Sequence, residues 1–117
     1  MKRKKKETRG DRWEKNIWRA YGLTPWMVVE MYAEQGGKCA ICTNDLHEKN
    51  WVIDHKHVRN YKKLSPEEKR KFVRGLVCIY CNWKVLGQIE RAGRVRAVRA
   101  CRYLGFLAGT SLEREAT

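Results

Sequence analysis

Cys39-Ala40-Ile41-Cys42 and Cys78-Ile79-Tyr80-Cys81 bracket the middle of the chain. Two residues between cysteines let both thiolates of a tight turn face one ion, and two such turns complete a tetrahedron. The pattern points to a structural Zn²⁺ on Cys39, Cys42, Cys78 and Cys81. A redox Cys-x-x-Cys would not need two copies, and an iron–sulfur cluster is not demanded by this spacing. The 35 residues from Thr43 to Val77 exceed what a compact zinc ribbon uses, so the paired turns house something else.

The remainder of the chain explains why a metal is needed. It has 117 residues, 43% hydrophobic and 33% charged, enough for only a small core. A chain of that size usually requires a staple beyond hydrophobic burial. A structural zinc contributes roughly 10–16 kcal/mol in small peptides, which would supply it. Twenty-six Lys and Arg against 13 Asp and Glu give a formal charge of +13. That balance predicts attraction to polyanions, nucleic acid first and anionic membrane second. Apolar runs such as Trp26 to Val29 are far too short to span a bilayer, and Met1 to Lys6 leads into no apolar signal core. The expectation is therefore a protein that is neither secreted nor membrane-embedded, with cysteines serving as ligands rather than disulfides. Cys101, left over, falls on the apolar side of its helix and reads as packing.

Outward from the cysteines, the composition divides the chain. Residues 1–12 hold seven Lys or Arg and almost nothing apolar, the signature of a basic disordered arm. Residues 13–36 read as two helices. Trp13, Ile17, Trp18 and Tyr21 recur at helical spacing up to Gly22; Thr24-Pro25 then opens a second helix that stops at Gly36-Gly37. Residues 37–90 form the zinc-bound core, with strands at Trp51-Val52-Ile53-Asp54 and Gly75-Leu76-Val77 and a helix opening at Asn82. Asn60 to Lys71 reads as a charged surface insertion, with Ser65-Pro66-Glu67-Glu68 starting one exposed turn. Residues 91–110 form a basic amphipathic helix and 111–117 a tail.

Between the cysteine pairs lies Ile53-Asp54-His55-Lys56-His57, and directly after the last cysteine comes Asn82. Singly, Asp54 could pair with nearby cations, each histidine could be a surface residue, and Asn82 could be a helix N-cap. Together they suit phosphodiester chemistry. A carboxylate and an amide oxygen are hard ligands for Mg²⁺ or Mn²⁺. A neutral imidazole beside them can take a proton from water near pH 7. Lys56, Arg59, Lys62, Lys63 and Arg74 would hold the polyanion. In a regular strand Asp54 and His55 point to opposite faces, so this grouping requires the strand to end or kink there.

Cys-x2-Cys, then Asp54-His55-Lys56-His57, then Arg74-Gly75-Leu76-Val77-Cys78-x2-Cys81-Asn82 with Leu86-Gly87 following resembles the phage recombination endonuclease VII family of HNH nucleases. Tyr21-Gly22-Leu23-Thr24 and the Gly36-Gly37-Lys38-Cys39 run are similar to the same family. The resemblance implies an α+β fold, a small zinc-stabilised ββα-metal (treble-clef-like) module flanked by helices. It implies that Asp54 and Asn82 bind the catalytic Mg²⁺ or Mn²⁺ and that His55 is the general base. His57 would orient the phosphate or support the metal. It further implies cleavage of branched DNA, including four-way junctions, to 5′-phosphate and 3′-hydroxyl ends, by a phage-encoded protein acting in the host cytoplasm. It leaves room for a homodimer. The chain departs from the pattern in having no acid between Asn82 and Glu90. The alternatives are a less selective nicking or homing-type HNH nuclease, and a zinc-stabilised DNA-binding module without catalysis.

Overall fold

The computed structural model describes residues 6–106. The start of the expected arm, residues 107–110 of the expected terminal helix and the tail lie outside that range. The chain divides after Ile79 into two compact units. The first contains α1 (Arg9–Tyr21), α2 (Pro25–Glu34), β1 (Trp51–His55), a 3₁₀ turn (Tyr61–Lys63), α3 (Pro66–Arg70) and β2 (Val73–Cys78). The second contains a π-helical segment (Cys81–Leu86), α4 (Gly87–Ala92) and α5 (Arg94–Tyr103). The result is a small α+β protein whose sheet has two antiparallel strands.

Helix α1 starts four residues before the expected Trp13, so the arm does not run to residue 12. Thr8 and Asp11 form a capping box: the Asp11 N–H donates to Thr8 Oγ1 and the Thr8 N–H to Asp11 Oδ2, both at 3.1 Å. These bonds satisfy backbone donors that the first turn leaves open, which outweighs the charge density of Arg9 to Arg12. The helix ends at Gly22, whose φ of +70° is a left-handed cap; its N–H donates to the Trp18 carbonyl at 2.8 Å. A Cβ here would lie 1.7 Å from the Pro66 carbonyl oxygen, so close approach as well as φ demands glycine. Helix α2 follows with Thr24 as N-cap, its hydroxyl accepting from the Met27 N–H at 3.3 Å, and Pro25 at its first position.

The segment read as a surface insertion is the clamp on the end of α1. Lys69 Nζ donates to the Arg19 carbonyl at 2.8 Å, Arg70 Nε to the Gly22 carbonyl at 2.6 Å, and the Tyr61 hydroxyl to the Ala20 carbonyl. Two cations and a phenol thus meet carbonyls that a helix C-terminus leaves unpaired and partly negative. Lys69 is only 8% exposed, which its carbonyl partner and the Tyr61 ring make tolerable.

The core of the first unit is Ile17, Leu23 and Val28 from the helical part, Leu46, and Ile53, Leu76 and Val77 from the strands. Gln35 joins helix to sheet. Its side-chain amide donates to the Leu76 carbonyl at 2.9 Å and accepts from the Leu76 N–H at 2.8 Å, while also donating to the Lys38 carbonyl at 2.8 Å.

In the second unit the helix expected from residue 91 starts instead at Arg94. Gly93, at φ +83° and ψ 158°, occupies a conformation open to glycine and breaks the run, leaving Arg91 and Ala92 at the end of α4. A groove of about 440 Å³ lies between α4 and α5, lined by Ile89, Ala92, Ala97, Val98 and Cys101 among others. Val95, Tyr103, Leu104 and Phe106 are exposed.

Candidate functional site

The first cysteine pair sits in a tight loop. The Cys39 N–H donates to the Asn44 carbonyl at 2.8 Å and the Thr43 N–H to the Cys39 carbonyl at 3.1 Å, with Thr43 itself left-handed at φ +62°. The Cys39 sulfur accepts N–H bonds from Ile41 at 3.4 Å and from Cys78 at 3.3 Å. Burial opposes ionisation of this thiol, but N–H donors of Cys78, Cys42 and Ile41, with the Cys42 side chain, bring its pKa down to about 6. The second pair follows β2, steadied by the Ile79 N–H donating to the Asn50 carbonyl at 2.7 Å. All four sulfurs lie within 4.8 Å of one another, and those of Cys42 and Cys78 are 3.9 Å apart. A tetrahedral zinc with Zn–S bonds of about 2.3 Å sets its sulfurs about 3.8 Å apart. The donor set, its spacing and its N–H⋯S bonds therefore fit structural zinc.

The strands that the cysteines tie together carry the Asp-His sequence. Strand β1 pairs Asp54 with Gly75 and His55 with Val73, so Arg74 is the extra residue of a β-bulge. A bulge bends the strand and re-aims a side chain. The extra residue lies on the partner strand, opposite the step from Asp54 to His55, while β1 itself runs on through His55. The re-aimed Arg74 makes a bidentate pair with Asp54, Nε to Oδ2 at 2.7 Å and Nη2 to Oδ1 at 2.9 Å, and Nη2 also reaches the His55 carbonyl at 3.3 Å. Asp54 is 7% exposed, so this buried carboxylate has a matched, forked cation.

His55 lies among rings. Tyr61 stacks on it with centroids 4.4 Å apart and planes inclined by 22°, and His57 stacks at 5.0 Å and 12°. Tyr21 approaches at 5.7 Å, tilted by 60°. Burial raises the Tyr21 phenol pKa; burial and then the nearby Tyr21 raise that of Tyr61, so both stay neutral hydroxyls. Beside the rings lies an open cleft of about 480 Å³, lined by His55, His57, Asn60, Tyr61, Lys62 and Lys63 among others. A cleft of imidazole and ammonium groups suits an anionic ligand.

Asp54, His55 and His57 are therefore neighbours on the end of one hairpin, with Lys62 and Lys63 beside the histidines. Asn82 lies in the second unit, inside the π-helical segment, where its carbonyl accepts the Gly87 N–H five residues on. Tyr80 is the capping position of that segment. Asn82 is thus not the N-cap, which removes the local structural explanation for an asparagine there. Tyr61 and Lys69 escaped sequence reasoning; a lone aromatic within an otherwise charged stretch was the available signal for Tyr61.

Four clustered cysteines that could hold zinc, and a two-stranded hairpin that bears the histidines, define a small α+β protein. The model of the recombination endonuclease VII family matches residues 14–105, and the chain belongs to that family. Among its relatives are the Gene 59 proteins of Mycobacterium phages D29 and L5, each 36% identical over 76 residues. Those matches cover 64% of this chain but 39% and 40% of the relatives, so the chain spans about two fifths of their length. No solved structure matches it. Among the described residues no helix is long and apolar enough to cross a membrane.

Proposed function

We propose that this chain is a metal-dependent DNA endonuclease of the HNH, ββα-metal type, acting on branched DNA inside a phage-infected host cell. The observation that carries the reading is the end of the β1–β2 hairpin. There the imidazoles of His55 and His57 line a cleft with Lys62 and Lys63, and the buried Asp54 carboxylate precedes His55 in the strand, in a chain of charge +13 that belongs to a family named for an endonuclease. Asp54 and Asn82 would hold a divalent ion, whose chemistry is to neutralise charge on the non-bridging and leaving oxygens. Arg74 takes one lone-pair direction on each Asp54 oxygen, leaving others for such an ion. His55 accepts the proton of the attacking water. Its oxygen joins phosphorus as the bond to O3′ breaks and the departing O3′ takes a proton from solvent, which leaves a 5′-phosphate and a 3′-hydroxyl. His57, Lys62 and Lys63 hold the phosphate, and the basic surface follows the backbone; if 6–10 phosphates are neutralised, affinity falls by about 10³–10⁵ between 50 and 200 mM salt. The exposed Val95, Tyr103, Leu104 and Phe106 support a homodimer.

The engagement of both Asp54 oxygens by Arg74 favours a second reading, in which the carboxylate is structural and the domain binds DNA without cutting it. Supercoiled plasmid with Mg²⁺ or Mn²⁺ separates them. Under the first reading wild type nicks it and His55→Ala does not, while both retain zinc and bind DNA. Absence of cutting across metals and substrates favours the second. Equal rates on a four-way junction and a linear duplex would remove the branched-DNA preference.

A further inference from the structure

A general base must present its nitrogen in one direction, yet the terminal torsion of a histidine is broad and sets that direction weakly by itself. What surrounds the ring therefore decides it. The Tyr61 ring stacks on His55 at 4.4 Å, closer than the His57 ring at 5.0 Å. Tyr61 is itself pinned: its hydroxyl donates to the Ala20 carbonyl, and Lys69 Nζ lies 5.5 Å from its ring centroid. Lys69 in turn is bound to the Arg19 carbonyl at 2.8 Å. A chain of contacts thus runs from the C-terminal end of α1 through one aromatic ring to the imidazole.

Resting on the hydrolytic reading above, we infer that Tyr61 is a positioning residue, which holds the plane of the His55 imidazole in register with the attacking water. The 3₁₀ turn that carries Tyr61 also carries Lys62 and Lys63, so the element that aligns the base also lines the phosphate cleft. A base displaced by about 1 Å loses on the order of 10²-fold in rate, the scale expected when this ring is removed.

The test uses the full zinc-loaded chain. Tyr61→Leu deletes the stacking ring, and Tyr61→Phe keeps the ring while deleting the hydroxyl anchor. Tyr61→Leu is expected to lower kcat on a cleavable DNA by about 10²-fold with KM little changed, and Tyr61→Phe to recover most of that loss. Nuclear magnetic resonance gives a readout independent of cleavage. The chain has three histidines, of which His47 is exposed and serves as reference. The His55 ring protons should be shifted upfield of those of His47 in wild type, and less so in Tyr61→Leu. Wild type that cuts while Tyr61→Leu cuts equally well overturns the inference alone, as does a loss confined to KM. Wild type that cuts nothing overturns the hydrolytic reading and takes this inference with it. Should Tyr61→Leu lose its fold, the wild-type spectrum and Tyr61→Phe decide: unshifted His55 protons, or a Tyr61→Phe kcat as low as that of His55→Ala, overturn it.

Discussion

Replacing Arg74 with methionine strands the Asp54 carboxylate. The side chain of Asp54 is 8% exposed and that of Arg74 is 41% exposed, so water can reach the arginine side of the pair but hardly the aspartate. Removing one partner of a buried ion pair costs about 3–5 kcal/mol. The half-open arginine side puts this case at the lower end, about 3 kcal/mol, a large share of the ~5–15 kcal/mol that holds a domain together. Urea denaturation of the zinc-loaded protein, followed by tryptophan fluorescence, measures it. Arg74→Met should lower the midpoint strongly, whereas Lys49→Ala on the exposed loop should stay within about 0.5 kcal/mol of wild type. The double variant Arg74→Met/Asp54→Leu, with no charge left to strand, should recover most of the loss. Mg²⁺ adds a functional arm: if Asp54 binds the ion, Mg²⁺ should raise the Arg74→Met midpoint and leave the double variant unmoved. An Arg74→Met midpoint as close to wild type as that of Lys49→Ala would refute the claim that this pair is both buried and matched.

Gly22→Ala should destabilise by at least about 1–2 kcal/mol, the cost of a left-handed alanine, and by more because its Cβ meets the Pro66 carbonyl; thermal unfolding by circular dichroism checks this, against Gly36→Ala, where φ is also positive but nothing lies within 4 Å. In the metal-free protein Cys39 has a folded pKa of about 6 against 9.0 for an ordinary thiol. A depressed acid pKa adds stability that is complete above the ordinary value and is lost as pH falls through the folded one. The metal-free midpoint should therefore rise from pH 6 to pH 9, and Cys39→Ser should flatten that rise in a urea series.

Legibility in the sequence followed the range of the interactions. The zinc set was readable because a Cys-x-x-Cys turn is local and chemically unambiguous, and the four sulfurs do cluster. The strands around Ile53 and Leu76 were readable from β-branched runs between polar turns. Thr8-x-x-Asp11 is a legible helix start, masked by the charge of Lys2 to Lys6, Arg9 and Arg12 around it. The clamp by Tyr61, Lys69 and Arg70 was not legible, because its acceptors are backbone carbonyls at the end of α1, which no residue type advertises. Arg74 is legible as a cation near the site, but its grip on Asp54 depends on a one-residue slip in strand pairing that composition cannot encode.

Gln35 gives the two-stranded sheet something a larger sheet obtains from another strand. Its carboxamide meets the outward N–H and C=O of Leu76 as a neighbouring peptide group would, and the Ala40 N–H adds a second bond to the same carbonyl at 3.1 Å. An open strand border is a template on which other chains can grow, and here the Gln35 side chain and the Ala40 N–H together occupy it at Leu76. Gly75 is part of the device, since a Cβ there would come within 2.9 Å of the Gln35 oxygen. Glutamate at position 35 could still accept from the Leu76 N–H but could donate to neither carbonyl, leaving the Leu76 oxygen to the Ala40 N–H and the Lys38 oxygen without its Gln35 donor.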